Sequence, residues 1–289
     1  MEVKRVVPSG YCKGVVNAIK LAKETRKQNP EEKICILGML VHNSYVSDEL
    51  ASLGIATLDD TFKSKDELLD EVDEGIIIFT AHGISEAIKN KAAAKGLRYV
   101  DATCVDVLKT QNIIKQRLNE GYEIIYFGKR KHPEAEAVLS ISDRIHLVCN
   151  REDIENLHLK NRKLFLTNQT TMSTLELKDL IDEVLKLYPD TIVQEEICNA
   201  TSSRQEAICR LHDCDLLYVV GDSKSNNTNK LVDIAKKQGI RKVLLIHSYR
   251  DIDKKDLDDV NKVYVTAGAS TPPLLIDEVI TYLKSCADQ

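Results

Sequence analysis

Three cysteine-containing turns recur along this chain at nearly equal spacing, and this repeat limits the possible folds more than any other feature. Cys12, Cys104 and Cys198 are 92 and 94 residues apart, and 91 residues follow the last of them. Each cysteine comes after a short apolar run and before a segment with helical periodicity, as in "VKRVVPSGYCKGVVNAIKLA". Repetition of this kind predicts three similar units of about 90 residues each.

The likeness among the three units continues beyond the cysteines. In each unit a second apolar run ends in a polar cluster 27 to 30 residues after the cysteine, and a later run ends in another polar cluster. The second clusters contain His42 with Asn43, His132 with Glu134, and Ser225 with Asn226 and Asn227, and the later clusters contain His82, Thr170 and Ser270. The shorter runs "GIATL", "RIHLV" and "KVLLIH" between them are typical of additional strands.

Strands that alternate with helices predict parallel sheets covered by helices. In such sheets ligands bind outside the carboxyl ends of the strands, where all these polar clusters fall. We therefore predict an α/β fold of three similar parallel-sheet domains, arranged with pseudo-three-fold symmetry around a shared centre. The predicted boundaries are 1–100, 101–193 and 194–289.

Composition excludes several classes of protein. A chain of 289 residues buries enough surface to fold without disulfides or a structural metal. The net charge of −5 argues against a general nucleic-acid-binding protein, which would carry a basic face. The sequence shows neither a signal peptide nor an apolar run of membrane-spanning length, so we expect a cytoplasmic protein without a membrane partner. In a reducing compartment the eight cysteines are expected to be thiols, metal ligands or buried apolar residues.

Three thiolates at equivalent turns predict a three-cysteine site with one open coordination position. Soft thiolate ligands favour zinc, copper(I) or an iron-sulfur cluster. Catalytic zinc more often has histidine or mixed ligands, whereas thiolates are the usual ligands of a cluster. Any one cysteine taken alone is more often a buried apolar residue, and that interpretation is kept for the other five, which are Cys35, Cys149, Cys209, Cys214 and Cys286.

The polar clusters predict an anion site with a proton source. The three histidines, together with Ser225, Asn227, Ser270 and the amides of the following helices, form a donor-rich set that suits a phosphate. The alternatives are structural histidines and simple helix capping by the serine and asparagine residues. Glu134 in "KHPEAEA" is the carboxylate placed among these donors, with Thr170 to orient it, although a first-turn glutamate is also favoured by the helix dipole alone.

An ordered set of motifs over essentially the whole chain resembles the 4-hydroxy-3-methylbut-2-enyl diphosphate reductase family of the non-mevalonate isoprenoid pathway. The motifs are "YCKGV", "VHNSYVSDEL", "TAHGIS", "DATC", "HPEAE", "NQTTMS", "ICNATSSRQEA", "SKSNNTN" and "TAGASTPP". The chain departs from the family's common pattern at Val105, where Pro is frequent, at Asn226, where a second Ser is frequent, and at Lys13, where Ala is frequent.

The resemblance implies an enzyme with a 4Fe-4S cluster held by Cys12, Cys104 and Cys198, whose unique iron binds the 4-hydroxyl of an allylic diphosphate. It implies diphosphate binding by groups matching His42, His82, His132, Ser225, Asn227 and Ser270, with Asn226 beside them. Glu134 matches the family's proton-delivering glutamate and Thr170 its partner. Removal of the hydroxyl as water would give isopentenyl and dimethylallyl diphosphates.

Two other functions remain open on the sequence. The first is a zinc enzyme that acts on a phosphorylated substrate through the same three cysteines, with Glu134 as base. The second is a non-catalytic iron-sulfur sensor. For the reductase, the sequence contains neither a flavin nor a nicotinamide fingerprint, so we expect a separate ferredoxin or flavodoxin to supply electrons.

Overall fold

The computed structural model describes residues 1–59, 61–159 and 163–287, and within these ranges the chain forms twelve strands, eleven α-helices and two short 3-10 helices. The strands are β1 (Glu2–Arg5), β2 (Ile34–Leu37), β3 (Ile55–Leu58), β4 (Ile76–Phe79), β5 (Arg98–Asp101), β6 (Glu123–Phe127), β7 (Ile145–Val148), β8 (Leu164–Asn168), β9 (Ile192–Val193), β10 (Leu216–Val220), β11 (Lys242–Ile246) and β12 (Lys262–Ala267). The helices are α1 (Lys13–Gln28), α2 (Ser44–Ser52), α3 (Lys65–Asp70), α4 (Glu86–Ala94), α5 (Val105–Asn119), α6 (Pro133–Leu139), α7 (Arg151–Glu155), α8 (Thr174–Leu187), α9 (Asn199–Cys209), α10 (Asn226–Lys237) and α11 (Pro273–Ala287). The 3-10 helices are Tyr249–Asp251 and Lys254–Leu257.

The strands form three parallel sheets with the same internal order. The first sheet runs β3-β2-β4-β5, the second β7-β6-β8-β9, and the third β11-β10-β12-β1. All residues of β4, β6, β8 and β10 are buried, as expected for parallel strands covered by helices on both faces. The prediction of three similar parallel-sheet α/β units is confirmed, and the runs "GIATL", "RIHLV" and "KVLLIH" are strands β3, β7 and β11.

The edge strand of each sheet is the strand that precedes a cysteine turn. β5 pairs with β4 before Cys104, and β9 pairs with β8 before Cys198. β1 precedes Cys12 and pairs with β12, so that the first strand of the chain completes the third sheet. Each cysteine turn therefore leads from the edge of one sheet into the first helix of the next repeat.

The chain divides into two compact units. The smaller unit comprises Met1–Lys13, His42–Val46 and Asn199–Gln289, and contains the third sheet. The larger unit comprises Gly14–Val41 and Ser47–Cys198, and contains the first and second sheets. Among the helices that the structure describes, we find none with the length and apolar character needed to cross a membrane.

Each sheet has an apolar core that follows the alternation of side chains along its strands. In the third sheet Tyr218 and Val220 face one core with α11, whereas Leu217 and Val219 face another. The second sheet likewise places Ile124 and Tyr126 in one core and Ile125 and Phe127 in the other. Burial of each such side chain stabilises the fold by about 1.5–3 kcal/mol. The polar turns therefore follow strands that are held in place by their packing.

Candidate active site

The three cysteine turns are built alike. The backbone N–H of each cysteine donates to a carbonyl in the turn that follows the third strand of a sheet. The acceptors are Ala269 for Cys12 at 3.0 Å, Ala81 for Cys104 at 3.0 Å and Thr170 for Cys198 at 3.1 Å. Each cysteine is thus fixed against a polar turn that the sequence had assigned to the site.

A polar side chain forms a hydrogen bond with the backbone of each cysteine turn. None of these three side chains was predicted from the sequence. Arg204 donates to the carbonyl of Gly10, Asp101 accepts from the N–H of Thr103 at 3.0 Å, and Asn168 accepts from the N–H of Glu196 at 3.0 Å. Arg204 and Asn168 are buried, and a buried polar side chain requires such partners. Their position within the motifs "ICNATSSRQEA", "DATC" and "NQTTMS" was the available signal.

The cysteines also share their relation to helices. α1 begins at Lys13, α5 at Val105 and α9 at Asn199, each directly after a cysteine. The N-terminus of a helix carries a partial positive charge that stabilises anionic groups. All three thiols are half-buried and outside disulfides. This donor set and its location fit a thiolate-bound, anionic metal cluster.

Glu134 is one of the buried acids of the larger unit. It lies in the first turn of α6 with 1% of its surface exposed, where a glutamate favoured only by the helix dipole would remain in water. The Thr170 N–H donates to its Oε1 at 2.8 Å and the Thr170 hydroxyl donates to its Oε2 at 2.9 Å. Burial raises the pKa of Glu134 to about 7, although the two Thr170 hydrogen bonds oppose that rise. The carboxyl group therefore holds a proton close to neutral pH.

His132 links this acid to the neighbouring histidine turn. It is the N-cap of α6, and its Nδ1 accepts from the N–H of Glu134 at 3.2 Å. Because Nδ1 accepts, the proton of the neutral ring lies on Nε2, which becomes a donor. The His82 and His132 rings meet edge to face with centroids 5.4 Å apart.

An unbroken series of contacts consequently joins two of the cysteine turns within the larger unit. Its members, in order, are Cys198, Thr170, Glu134, His132, His82, Ala81 and Cys104. The structure thus brings together the six predicted site residues that this unit contains.

A cleft of about 540 Å³ opens beside this series of contacts in the larger unit. Its lining includes Gly83 and Pro133, the residues that directly follow the two histidines. Ser85 and Lys131 add a hydroxyl and a cation to its wall. The cleft is therefore polar where it approaches the histidine turns.

The smaller unit holds the other six predicted residues, which are Cys12, His42, Ser225, Asn226, Asn227 and Ser270. Ser225 caps α10 by accepting from the N–H of Thr228 at 3.3 Å, as the capping alternative anticipated. A capping serine still has its own O–H to donate, so capping and anion binding are compatible. The Ser270 hydroxyl donates to the carbonyl of His42 at 3.0 Å, which ties these two predicted positions together.

Asn227 anchors the start of α10 to both neighbouring turns of the smaller unit. Its Oδ1 accepts from the N–H of Ala269 at 3.0 Å, and its Nδ2 donates to the hydroxyl of Thr201 at 3.1 Å. A side chain at Gly268 would collide with Thr228, so only glycine allows β12 and α10 to approach this closely. Since Ala269 also accepts from Cys12, Asn227 connects the first cysteine turn to the helix start.

Comparisons with known proteins agree with this architecture. A family model described as LytB protein matches residues 3–284. A protein from Geobacillus sp. (strain WCH70) named 4-hydroxy-3-methylbut-2-enyl diphosphate reductase is 45% identical over 98% of this chain and 90% of its own length. A protein of the same name from Symbiobacterium thermophilum is 43% identical over 98% of this chain and 97% of its own length.

Solved structures show the same fold. The E-1-hydroxy-2-methyl-but-2-enyl-4-diphosphate reductase from Plasmodium falciparum is 31% identical with a TM-score of 0.91, covering 98% of this chain and 88% of its own. A second structure, described as (E)-4-hydroxy-3-methyl-but-2-enyl diphosphate reductase, the terminal enzyme of the non-mevalonate pathway, is 28% identical with a TM-score of 0.68, covering 99% of this chain and all of its own. The family model and the full-length relatives together show that this chain belongs to the LytB protein family of 4-hydroxy-3-methylbut-2-enyl diphosphate reductases.

Proposed function

We propose that this chain removes the hydroxyl of (E)-4-hydroxy-3-methylbut-2-enyl diphosphate as water, giving isopentenyl and dimethylallyl diphosphates. The reaction takes up two electrons and two protons, so it needs an electron cofactor and a placed acid. The observation that carries the proposal is the series of contacts that links Cys198 to Cys104 through Thr170, Glu134, His132 and His82. The series contains two of the three proposed cysteine ligands and a buried carboxyl whose pKa is raised to about 7.

Cys12, Cys104 and Cys198 are the proposed ligands of a 4Fe-4S cluster. Membership of the reductase family supports this proposal, because relatives with that name match nearly the whole chain. When bound, the cluster supplies electrons and, at an iron without a protein ligand, a Lewis acid. The proposed units 1–100, 101–193 and 194–289 each contribute one cysteine. The equivalent backbone hydrogen bonds of their turns support one shared role for the three cysteines.

Glu134 is the proposed acid that protonates the departing hydroxyl. Burial raises its pKa to about 7, which suits proton delivery near that pH. Thr170 holds both carboxyl oxygens and so fixes the direction in which the proton leaves. Burial of the acid also keeps water away from the transferred proton.

The predicted histidine, serine and asparagine donors are the proposed ligands of the diphosphate. They are His42, His82, His132, Ser225, Asn226, Asn227 and Ser270. Histidine rings, hydroxyls and amides, together with the N-terminus of α10, provide hydrogen bonds for a highly charged anion.

Electrons are proposed to come from a separate ferredoxin or flavodoxin. The chain carries neither a flavin nor a nicotinamide fingerprint in its sequence, and an external one-electron carrier supplies what the proposed cluster needs. The cytoplasm is the proposed compartment, because a reducing environment keeps the eight cysteines available as thiols.

Anaerobic purification followed by metal analysis and turnover tests this function. We expect about four irons and four sulfides per chain, and formation of both diphosphate products with a reduced electron carrier. Stoichiometric zinc without sulfide would instead support the zinc enzyme. A bound cluster without turnover of the substrate would support the sensor.

Exchange of Asn227 for aspartate is expected to raise KM for the diphosphate by about two orders of magnitude. The variant keeps the acceptor for the Ala269 N–H but replaces the donor to the Thr201 hydroxyl by a second acceptor, and its negative charge repels the substrate. Steady-state kinetics and thermal unfolding measure the two effects. Gln238→Glu, which adds the same charge at the exposed C-terminal end of α10, is the control. An unchanged KM in Asn227→Asp would show that Asn227 does not bind the diphosphate.

A further inference from the structure

Tyr126 is a completely buried tyrosine beside the acid of the proposed site. It lies on β6 and packs with Ala135 and Val138 of α6, the helix that carries Glu134. Its phenol oxygen is buried and makes no hydrogen bond of standard geometry with any residue that the structure describes. That oxygen nevertheless lies close enough to the Glu134 carboxyl for each group to change the pKa of the other.

Backbone geometry fixes the direction of the Tyr126 ring. Alternation along β6 points Tyr126 toward α5 and α6, whereas Ile125 and Phe127 point to the opposite face. A Cβ at Gly128 would lie 2.9 Å from Cε1 of the ring, so the absence of a side chain there makes room for it. A buried tyrosine hydroxyl normally has a polar partner, and the Glu134 carboxyl lies near this one.

We propose that Tyr126 is a positioning residue that holds the Glu134 carboxyl in place through its buried phenol. This inference rests on the proposed function, because it assigns the contact to the acid that delivers the proton. Thr170 approaches the carboxyl from the turn after β8, and Tyr126 approaches it from β6. Held from two elements, the carboxyl has little freedom to rotate away from the substrate.

The phenol acts as a donor and keeps its own proton. Burial and then the negative charge of Glu134 raise the pKa of Tyr126 well above its ordinary value, so it is not a proton source near neutral pH. Its position near the carboxyl lowers the pKa of Glu134, in the same direction as Thr170. The negative charge of Asp106 on α5 acts in the opposite direction, and the His132 ring accepts from the Glu134 backbone N–H.

Exchange of Tyr126 for phenylalanine tests the proposal, with Tyr218→Phe as the matched control. Tyr218 is equally buried, its hydroxyl also has no hydrogen-bond partner among the described residues, and it lies in the third sheet of the smaller unit. Loss of a donor to a charged group is expected to move the Glu134 titration upward by about one pH unit in Tyr126→Phe. The Tyr218→Phe titration is expected to match that of the parent protein.

Two readouts separate the outcomes. Infrared difference spectroscopy follows the protonated carboxyl band that Glu134→Gln removes, and it needs no turnover. The pH profile of kcat is expected to move with that band. An unmoved band in Tyr126→Phe, or an equal movement in Tyr218→Phe, overturns the role of Tyr126. A moved band in a protein without reductase activity instead overturns the proposed function, while the contact between Tyr126 and Glu134 stands.

Discussion

Exchange of Glu134 for glutamine is expected to lower kcat by about 10²- to 10⁴-fold, the usual effect of removing a general acid. The amide keeps the size of the side chain and can still accept from Thr170, whose N–H and hydroxyl now contact the carboxyl oxygens. It has no acidic proton to deliver. Cluster content and substrate affinity are therefore expected to remain close to those of the parent protein. Stopped-flow turnover with a reduced carrier, together with iron analysis, measures both.

Glu136→Gln is the matched control for this substitution. Glu136 lies on the same helix two residues further on, but its side chain is exposed, whereas that of Glu134 is buried. The control removes the same charge from α6 and is expected to keep full turnover. Equal losses in both variants would point to a helix-wide charge effect, and an unchanged kcat in Glu134→Gln would contradict the acid role.

The raised pKa of Glu134 also predicts the pH dependence of the reaction. The carboxyl donates only while protonated, so kcat is expected to be full below about pH 7 and to fall as pH rises through that value. The free energy of unfolding also falls as pH rises. Because the folded-state pKa lies above the unfolded value, the parent protein loses stability relative to Glu134→Gln as pH rises from about 4.5 to about 7. Urea unfolding at several pH values measures this difference.

Repetition in the sequence was enough to predict the fold. Three cysteine turns at matching positions, with strand-like and helix-like runs between them, predicted three parallel-sheet units, because local periodicity determines such elements. The polar turns were also recognisable, since strands end there. Pairing of β1 with β12 could not be predicted from the sequence, because short strands of similar composition do not indicate their partner.

The supporting residues of the site were harder to predict. Tyr126 stands in the apolar run "EIIYF", where the pattern indicates only a core residue. Its importance depends on Gly128 and α6, which come close only in the folded chain. Arg204 similarly acts on Gly10, 194 positions away along the chain. Such contacts arise from tertiary structure, whereas residues that carry chemistry recur in the motifs themselves.

Exchange of Cys104 for serine is expected to abolish turnover and to remove most of the iron and sulfide from the anaerobically purified protein. A serine hydroxyl does not ionise near neutral pH and does not replace a soft thiolate ligand. The fold is expected to survive, because Cys104 is the N-cap of α5 and its side chain makes no capping hydrogen bond. Serine is a favoured N-cap and is expected to stabilise the cluster-free protein by about 1 kcal/mol.

Cys149→Ser is the control that distinguishes loss of a cluster ligand from loss of any other thiol. Cys149 follows β7, at the opposite edge of the second sheet from β9, the strand before Cys198, and burial raises the pKa of its thiol, which disfavours the thiolate that binds metal. This variant is expected to retain its iron, sulfide and turnover. Thermal unfolding of the cluster-free forms tests the capping effect independently. If Cys104→Ser kept the iron and sulfide of the parent protein, Cys104 would not be a cluster ligand, whereas unfolding of that variant would show that the thiol supports the turn itself.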